Sequence, residues 1–300
     1  MISYSETPIQ ELYSSEISEA GVRVLIKRED LNHPEVSGNK WWKLKYNLEL
    51  AIKQKHGVLL TFGGSYSNHL YATAAAASSL GLKSIGVVRG EETLPLNPTL
   101  TFAQSKGMRL HYVSREQYQR KNDPAFLDEL RQAYGDFYFL PEGGTNEMAV
   151  KGCMELGRKL VHEIDFDTLC IPVGTGGTLS GLVGALHNNQ RVIGFSVFKD
   201  GSFLESEVGR WIDPGAVASW RVETRYGFGG YAKTSPALLE FIDRMQKHHG
   251  LPLDHVYTAK MLFGIMDMIG KGEIHRSQKV LVLHSGGLQG VSRTNPAEPR

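Results

Sequence analysis

Cysteine is scarce in this sequence: Cys153 and Cys170 are the only two among 300 residues. Two cysteines in a chain of this length do not make a disulfide framework, so a reducing compartment, the cytoplasm, is the expected location. Charge of one sign is also lacking, with 33 Lys and Arg against 32 Asp and Glu. That balance gives no electrostatic footprint for nucleic acid or an anionic membrane. No apolar run is long enough to span a bilayer, and the N-terminus shows no secretory signal pattern.

Several enzyme signatures are missing as well. There is no His-Glu-x-x-His and no paired cysteine spacing, so no metal site is expected. The Gly-x-Ser-x-Gly of a nucleophile elbow does not occur. Glycine, by contrast, is plentiful at 33 residues, and it clusters. The clusters are the first indication of a ligand site.

Short apolar runs alternate with helical patterns along most of the chain. Predicted strands run from Val22 to Lys27, Val58 to Phe62, Ser84 to Val88, Arg109 to Val113, Phe137 to Leu140, Thr168 to Val173, Val192 to Val197 and Lys279 to Leu283. Predicted helices run from Ser67 to Leu80, Pro98 to Lys106, Ala125 to Tyr134, Glu147 to Glu163, Gly177 to His187 and Ala259 to Ile269. The segment from Asp200 to Gly230 receives no assignment. This alternation predicts an α/β protein with parallel sheets, which bind ligands beyond the carboxyl ends of their strands.

The segment 174–178, which we call the phosphate cup, follows a predicted strand and opens a predicted helix. It consists of Gly174, Thr175, Gly176, Gly177 and Thr178. Glycines let backbone N–H groups approach an anion, and the helix N-terminus adds partial positive charge. Leu stands where a dinucleotide fingerprint needs its last Gly, and no Walker lysine follows. A single phosphate on a small cofactor therefore fits better than either nucleotide, while a tight structural turn remains open as the alternative.

A second glycine pair, at 63–64, ends a predicted strand just before Ser67, Asn68 and His69. Ser and Asn are common helix N-caps, and capping alone would explain them. The functional alternative is that free N–H groups and polar side chains at this helix end bind a carboxylate. Lys40, in a predicted loop, would need to be desolvated before it could attack a carbonyl, and by itself it reads as a surface charge.

Taken together, these motifs resemble those of the fold type II pyridoxal 5′-phosphate (PLP) enzymes, the tryptophan synthase β-subunit superfamily. Within it the chain is most similar to the 1-aminocyclopropane-1-carboxylate deaminase and D-cysteine desulfhydrase group. The likeness runs from Thr7-Pro8 to Gly287. Its most specific parts are Gly-Asn-Lys-x-x-Lys at 38–43, Ser-Asn at 67–68, the phosphate cup and Val-Tyr at 256–257.

The resemblance implies a role for each matching residue. Lys40 would hold PLP as a Schiff base, and Lys43 and the cup would hold its phosphate. Asn68 would contact the 3′-hydroxyl of the ring, with Ser67, Asn68 and His69 receiving the substrate carboxylate. Ser67 would also transfer protons. The implied catalytic set is Lys40, Ser67, Tyr231 and Tyr257, and the implied cofactor contacts further include Gly174, Thr258 and Ser285.

Thr258 and Ser285 are the departures that separate the two activities. Deaminases for the cyclopropane substrate carry Glu and Leu there, whereas desulfhydrases carry hydroxyl residues. A carboxylate near the pyridine nitrogen keeps it protonated and makes a strong electron sink; a hydroxyl supports a more neutral ring. The sequence therefore favours β-elimination. Trp41, Trp42 and His69 also depart from the group, and each is a candidate for reshaping the pocket.

The resemblance also implies a two-domain architecture with open, twisted, mostly parallel sheets. Residues 1–42 and 151–300 would form a large PLP-binding domain, and residues 43–150 a small mobile one. The implied protein is a homodimeric lyase that acts on a small D-amino acid such as D-cysteine and yields pyruvate, ammonia and sulfide. A 1-aminocyclopropane-1-carboxylate deaminase and a non-catalytic protein that binds PLP or an amino acid are the alternatives.

Overall fold

Aliphatic runs such as 169–173 are buried along their whole length, as expected for strands covered on both faces. In the computed structural model, which describes residues 2–290, these runs assemble into two sheets. The larger sheet has the strand order β1 (Ile9–Leu12), β2 (Arg23–Lys27), β10 (Lys279–Leu283), β7 (Thr168–Val173), β8 (Arg191–Ser196) and β9 (Ser219–Glu223). The smaller sheet has the order β5 (Met108–Val113), β4 (Lys83–Arg89), β3 (Val58–Gly63) and β6 (Tyr138–Leu140).

All strand pairs are parallel except β1 with β2. Strand β10, near the end of the described chain, lies between β2 and β7, with Leu283 opposite Lys27 and Val282 opposite Cys170. The carboxyl ends of β2, β7 and β10 therefore meet at one edge of the larger sheet. The predicted α/β architecture with mostly parallel sheets is confirmed.

Helices connect the strands and cover both sheets. They are α1 (Ser15–Ala20), α2 (Asn39–Lys53), α3 (Asn68–Ser79), α4 (Pro98–Ser105), α5 (Arg115–Gln119), α6 (Pro124–Tyr134), α7 (Glu147–Glu163), α8 (Gly177–Val183), α9 (Phe203–Gly209), α10 (Pro236–His249) and α11 (Thr258–Gly270). Single 3₁₀ turns lie at Glu29–Leu31, Glu142–Gly144 and Leu288–Gly290. None of the helices in residues 2–290 is both long and apolar enough to cross a membrane.

One apolar core joins the two sheets. It runs from Leu59 in β3 through Leu48 in α2 and Leu156 in α7 to Leu169 in β7, all almost fully buried. The predicted domain boundaries at 42/43 and 150/151 fall inside α2 and α7, the helices that build this junction. The strands of the smaller sheet do lie within 43–150, but the boundaries themselves stay a prediction.

The prediction that Lys40 lies in a loop is wrong, because it is the second residue of α2. Gly38 precedes the helix with a φ of 68°, and its backbone N–H donates to the side chain of Asn32 at 2.9 Å and to the carbonyl of Glu29 at 3.0 Å. These contacts start a helix where no side-chain cap is present in the sequence. The segment left unassigned, from Asp200 to Gly230, contains α9 and β9.

Trp41 and Trp42 do not line the ligand cleft described below. Successive helical residues are about 100° apart, so they project away from the face that carries Lys40 and Lys43. The Trp42 Nε1 donates to Oε2 of the buried Glu29 at 2.6 Å, and Trp41 donates to the backbone carbonyl of Ser3. Neither side chain is part of the cleft lining, and an effect of these residues on the pocket stays a hypothesis.

Candidate active site

A cleft opens between the two sheets at the carboxyl ends of β2, β7 and β10. It holds about 550 Å³ of space between the protein atoms, part of it open to solvent. Its walls come from α2, α3, the phosphate cup, the start of α11 and the segment after β10. The lining residues are Asn39, Lys40, Lys43, Asn68, Gly143, Pro172, Val173, Gly174, Thr175, Gly176, Thr178, Leu179, Tyr257, Ser285 and Gly286.

Lys40 and Lys43 lie three residues apart on one face of α2, so both ammonium groups point toward the cleft. Burial lowers the pKa of Lys40 to about 8 and that of Lys43 to about 7. The value for Lys43 reflects burial first and the proximity of Lys40 second. Neither lysine forms an ion pair with a carboxylate within residues 2–290; Lys40 contacts only the side-chain oxygen of Asn39, at 3.3 Å. Two buried amines that are partly protonated at neutral pH, and that have no carboxylate partner among residues 2–290, favour an anion in this cleft.

The phosphate cup adopts the backbone that its glycines predicted. Gly176 has a φ of 83°, and α8 begins directly after it. A Cβ on Gly177 would lie 2.8 Å from the Thr145 side chain, so only glycine allows this close approach. The hydroxyls of Thr145 and Thr175 lie 2.7 Å apart, and the Lys43 ammonium donates to Thr145 at 2.9 Å. Lysine, hydroxyl and glycine N–H groups are thereby gathered at one end of the cleft.

Ser67 caps α3, and its Oγ accepts the backbone N–H groups of His69 and Leu70, each at 3.2 Å. Asn68 lies in the cleft wall, where its side-chain oxygen accepts a hydrogen bond from Gln289 at 2.6 Å. His69 does not line the cleft. Its imidazole is 1% exposed, packs against Gly144, and has no hydrogen-bond partner in the described structure. Burial lowers its pKa well below 6.5, so the ring is neutral at pH 7.

Tyr257 and Tyr231 meet at the cleft, with 3.4 Å between their hydroxyl oxygens and 6.1 Å between ring centroids. The Tyr257 ring packs against the cup. Its closeness is shown by the 3.4 Å that would separate it from a Cβ placed on Gly174. Burial raises the pKa of Tyr257 well above 10, so its hydroxyl keeps its proton at neutral pH. The two tyrosines therefore offer protonated hydroxyls to a ligand that enters the cleft.

Thr258 and Ser285 are placed differently from one another. The Thr258 hydroxyl donates to the Asp254 carboxylate at 2.7 Å and accepts the Asp254 backbone N–H at 3.0 Å. It is fully buried and does not line the cleft, so its predicted contact with a cofactor stays a prediction. Ser285 does line the cleft.

Sequence reasoning missed three residues of the site. Thr145 bridges Lys43 and the cup, and Asn39 donates to the Thr178 hydroxyl at 2.9 Å. Asp254 accepts the backbone N–H groups of Val256, Tyr257 and Thr258 and so starts α11. Asn39 stands beside Lys40, which was a usable signal. Thr145 lies about a hundred residues from Lys43, and no local pattern connects them.

This donor set fits PLP. Lys40 would provide the amine, while Lys43 and the hydroxyls of Thr175 and Thr178 would hold the phosphate. Three observations carry the fit: within residues 2–290 the two buried amines have no ion-pair partner, Gly177 leaves a cradle that a Cβ would fill, and the described lining of the main cleft includes no carboxylate. Residues 2–290 contain no cluster of His, Cys, Asp or Glu suited to a metal ion.

Comparison with known proteins agrees with this geometry. Residues 2–286 match the family described as pyridoxal-phosphate dependent enzyme. A Pyrococcus horikoshii protein, provisionally named 1-aminocyclopropane-1-carboxylate deaminase, is 33% identical over 95% of this chain and 90% of its own length. An Arabidopsis thaliana protein named bifunctional D-cysteine desulfhydrase/1-aminocyclopropane-1-carboxylate deaminase, mitochondrial, is 30% identical over 90% of this chain and 74% of its own.

Solved structures show the same fold. The crystal structure described as that of the ACC deaminase homologue superposes with a TM-score of 0.81 at 30% identity, covering 95% of this chain and 90% of that one. The structure of O-ureido-L-serine synthase superposes with a TM-score of 0.73 at 16% identity, covering 97% and 92%, and supports the fold alone. The chain therefore belongs to the pyridoxal-phosphate dependent enzymes of fold type II, within the group of the 1-aminocyclopropane-1-carboxylate deaminase relatives.

Proposed function

We propose that the enzyme catalyses α,β-elimination on a small D-amino acid, with D-cysteine and water giving pyruvate, ammonia and sulfide. The carrying observation is that the Ser285 hydroxyl lines the main cleft, whose described lining includes no carboxylate; Glu35 lines only a small pocket that adjoins it. Bound PLP supplies an electron sink for the bond changes at the α-carbon. A hydroxyl rather than a carboxylate at the ring favours a more neutral sink, which suffices when an α-proton is removed.

Lys40 is the group best placed to handle the α-proton. Its lowered pKa, about 8, leaves a fraction of its amine unprotonated at neutral pH. That form is needed both to attack a carbonyl and to accept a proton. Ser67 and Tyr257 would supply further hydroxyls for proton transfer, and burial keeps the Tyr257 hydroxyl protonated so that it can donate to a departing thiolate.

The start of α3 would hold the substrate carboxylate. The backbone N–H groups of His69 and Leu70 converge on the Ser67 hydroxyl, which shows that they point to one spot at the helix N-terminus. Such a spot favours an anion through the helix dipole, and a substrate carboxylate would replace the Ser67 hydroxyl as the acceptor of these N–H groups. Because the imidazole of His69 is buried and neutral, we assign the carboxylate to its backbone N–H and not to its ring.

Deamination of 1-aminocyclopropane-1-carboxylate is the second candidate. The names of several relatives and the paired hydroxyls of Tyr231 and Tyr257 favour it. A non-catalytic PLP or amino-acid binding role is the third, and the poised Lys40 amine argues against it. A homodimer in the cytoplasm completes the proposal.

The test is a panel of D- and L-amino acids and the cyclopropane substrate, assayed for release of a 2-oxo acid and, with cysteine, of sulfide. We expect D-cysteine to be turned over faster than its L-isomer and faster than the cyclopropane amino acid. Faster turnover of the cyclopropane substrate would replace the proposal by the second candidate. No 2-oxo acid from any of them would favour the third.

A further inference from the structure

Lys260 is a buried lysine that lies outside the cleft lining. Its side chain is 1% exposed, and its ammonium forms no ion pair in the described part of the chain. It also lies in the first turn of α11, where the positive end of the helix dipole opposes a cation. Burial lowers its pKa to about 8. A cation kept in such a place needs compensating partners.

Those partners are two backbone carbonyls in one short turn. The Lys260 ammonium donates to the carbonyl of Gly227 at 2.9 Å and to that of Gly230 at 2.7 Å. The two carbonyls also accept backbone N–H groups, from Gly230 and Lys233 respectively. Lys260 therefore clamps both ends of the segment 227–230, which we call the glycine turn.

Apart from Lys260, the glycine turn is held by its own hydrogen bond from the Gly230 N–H to the Gly227 carbonyl and by close packing on the backbone at Phe198 and Lys199. Phe228, Gly229 and Gly230 have φ values of 50°, 83° and 127°, and the first of these is strained for a bulky residue. The Phe228 ring packs edge-on against Phe263 of α11, with centroids 5.1 Å apart. Lys260 and Phe263 thus hold the turn from one helix.

Tyr231 follows the glycine turn directly. It is 42% exposed, its ring stacks on Phe198 with centroids 6.2 Å apart, and its hydroxyl meets that of Tyr257. Tyr257 precedes α11 by one residue and lies three positions before Lys260. Tyr257 is therefore fixed by the start of this helix, and Tyr231 is tied to the same helix through the turn.

We propose that Lys260 is a positioning residue, which clamps the glycine turn through two carbonyls and thereby holds the Tyr231 hydroxyl against that of Tyr257. The proposal rests on the proposed function only in taking the tyrosine pair as part of the substrate site. Lys260 itself is not among the residues that line the cleft.

The test compares Lys260→Met and Lys260→Gln holoenzymes with the parent. The matched control is Lys233→Met, which removes an exposed cation beside the same turn. We expect amide exchange in 226–232 to accelerate about tenfold or more in both Lys260 variants, since a clamped turn opens locally when its anchor is lost. The control should match the parent, and the dissociation constant of PLP should change less than about twofold in all variants, because the cup and Lys40 are untouched.

Kinetics provide the second measurement. We expect kcat/KM for the best substrate to fall about tenfold in Lys260→Gln, and the same change to have little further effect in a Tyr231→Phe background, because coupled residues are not additive. Unchanged exchange in the turn, or full additivity with Tyr231→Phe, overturns the proposal. Should Lys260→Met not fold, Lys260→Gln decides alone. Faster exchange in a protein that turns over nothing would instead count against the proposed function.

Discussion

The side-chain nitrogen of Gln289 lies 2.6 Å from the side-chain oxygen of Asn68, which joins the last described turn to the start of α3. The side-chain oxygen of Asn68 accepts the hydrogen bond from Gln289. We therefore expect the NH₂ group of Asn68 to be the one that is available to a ligand in the cleft. An amide NH₂ donates, which suits an oxygen carried by the cofactor ring.

Gln289→Glu should reverse this orientation, because a carboxylate accepts and would draw the Asn68 NH₂ to itself. We expect PLP to bind several-fold more weakly to Gln289→Glu than to Gln289→Ala, with a loss on the order of 1 kcal/mol. The measurement is titration of the cofactor-free protein with PLP. Equal affinity of the two variants would show that Asn68 does not depend on Gln289.

The covalent attachment can be tested directly at Lys40. Borohydride reduction followed by peptide mapping should place the label on Lys40, and Lys40→Ala should bind PLP without any reducible bond. Lys43→Met serves as the comparison, since it should keep the label but bind the cofactor more weakly. A label on Lys43 in the parent would exchange the roles of the two lysines.

The stability of the cofactor-free protein should depend on pH through Lys43. Its pKa of about 7 lies below the ordinary 10.5, so between these values the unfolded chain binds more protons than the folded one. Stability therefore rises with pH across this window and falls as pH approaches 7 from above. From pH 7 to 9 this should contribute on the order of 2 kcal/mol, as one pKa unit equals about 1.4 kcal/mol.

Urea unfolding of the cofactor-free parent and Lys43→Met at pH 7, 8 and 9 measures this contribution. The gain with pH should be smaller in Lys43→Met, while Lys53→Met, exposed at the other end of the same helix, should behave like the parent. Identical pH profiles for all three would mean that Lys43 is not desolvated in the folded protein.

Ser285 should tune the cofactor ring without being needed for binding. A neutral hydrogen bond contributes about 1 kcal/mol, so Ser285→Ala should retain PLP. Ser285→Asp should also retain it but shift its absorption to longer wavelength with substrate and eliminate more slowly, because a carboxylate favours a protonated ring.

Thr258→Val is the comparison for Ser285. The Thr258 hydroxyl serves Asp254 at the start of α11, so its loss should lower stability and leave the absorption unchanged. Spectra and single-turnover rates of the variants with a β-substituted D-amino acid decide the matter. If Thr258→Val alone moved the absorption, the hydroxyl that matters to the ring would be that of Thr258.

Gly38→Ala should disrupt the site far more than the strain of an alanine at the positive φ of Gly38 would by itself. A Cβ there would lie 1.9 Å from the Ser285 carbonyl oxygen, which is backbone and cannot move aside. Gly81→Ala is the matched control, because Gly81 has nearly the same φ, 67° against 68°, and nothing within 4 Å of a Cβ. We expect Gly81→Ala to lose about 1 to 2 kcal/mol and Gly38→Ala several more, with impaired PLP binding. If both variants lost the same free energy of unfolding, the clash with the Ser285 carbonyl would not explain the effect of Gly38→Ala.

Elements with strong local signals were predictable from the sequence. The helix Glu147–Glu163 and the strands Thr168–Val173 and Lys279–Leu283 have the predicted bounds, since periodicity or an unbroken aliphatic run marks them. Ser67 caps α3 as its residue type indicated. The cleft was predictable only through the resemblance, because no single motif specified its cofactor.

What local patterns missed depends on contacts between distant segments. The start of α2 at Asn39 depends on hydrogen bonds from the Gly38 N–H to Asn32 and Glu29. No N-cap side chain at this position marks the helix start in the sequence. Thr258 has the residue type of a cofactor contact, yet its hydroxyl is engaged by Asp254 four positions earlier. A hydroxyl residue can be located from the sequence, but the partner it selects depends on the fold.

The close packing of Gly38 and Asn39 on the backbone of Ser285 has a consequence for synthesis of the chain. Ser285 is translated 245 residues after Lys40. At a translation rate of about 5–20 residues per second, roughly 12 to 50 s separate the synthesis of Lys40 from that of Ser285, which completes the cleft lining. Strand β2 meanwhile has β1 on one side and an unpaired edge on the other, whereas the smaller sheet can close early. PLP can therefore meet the completed cleft only after Ser285 has been synthesised.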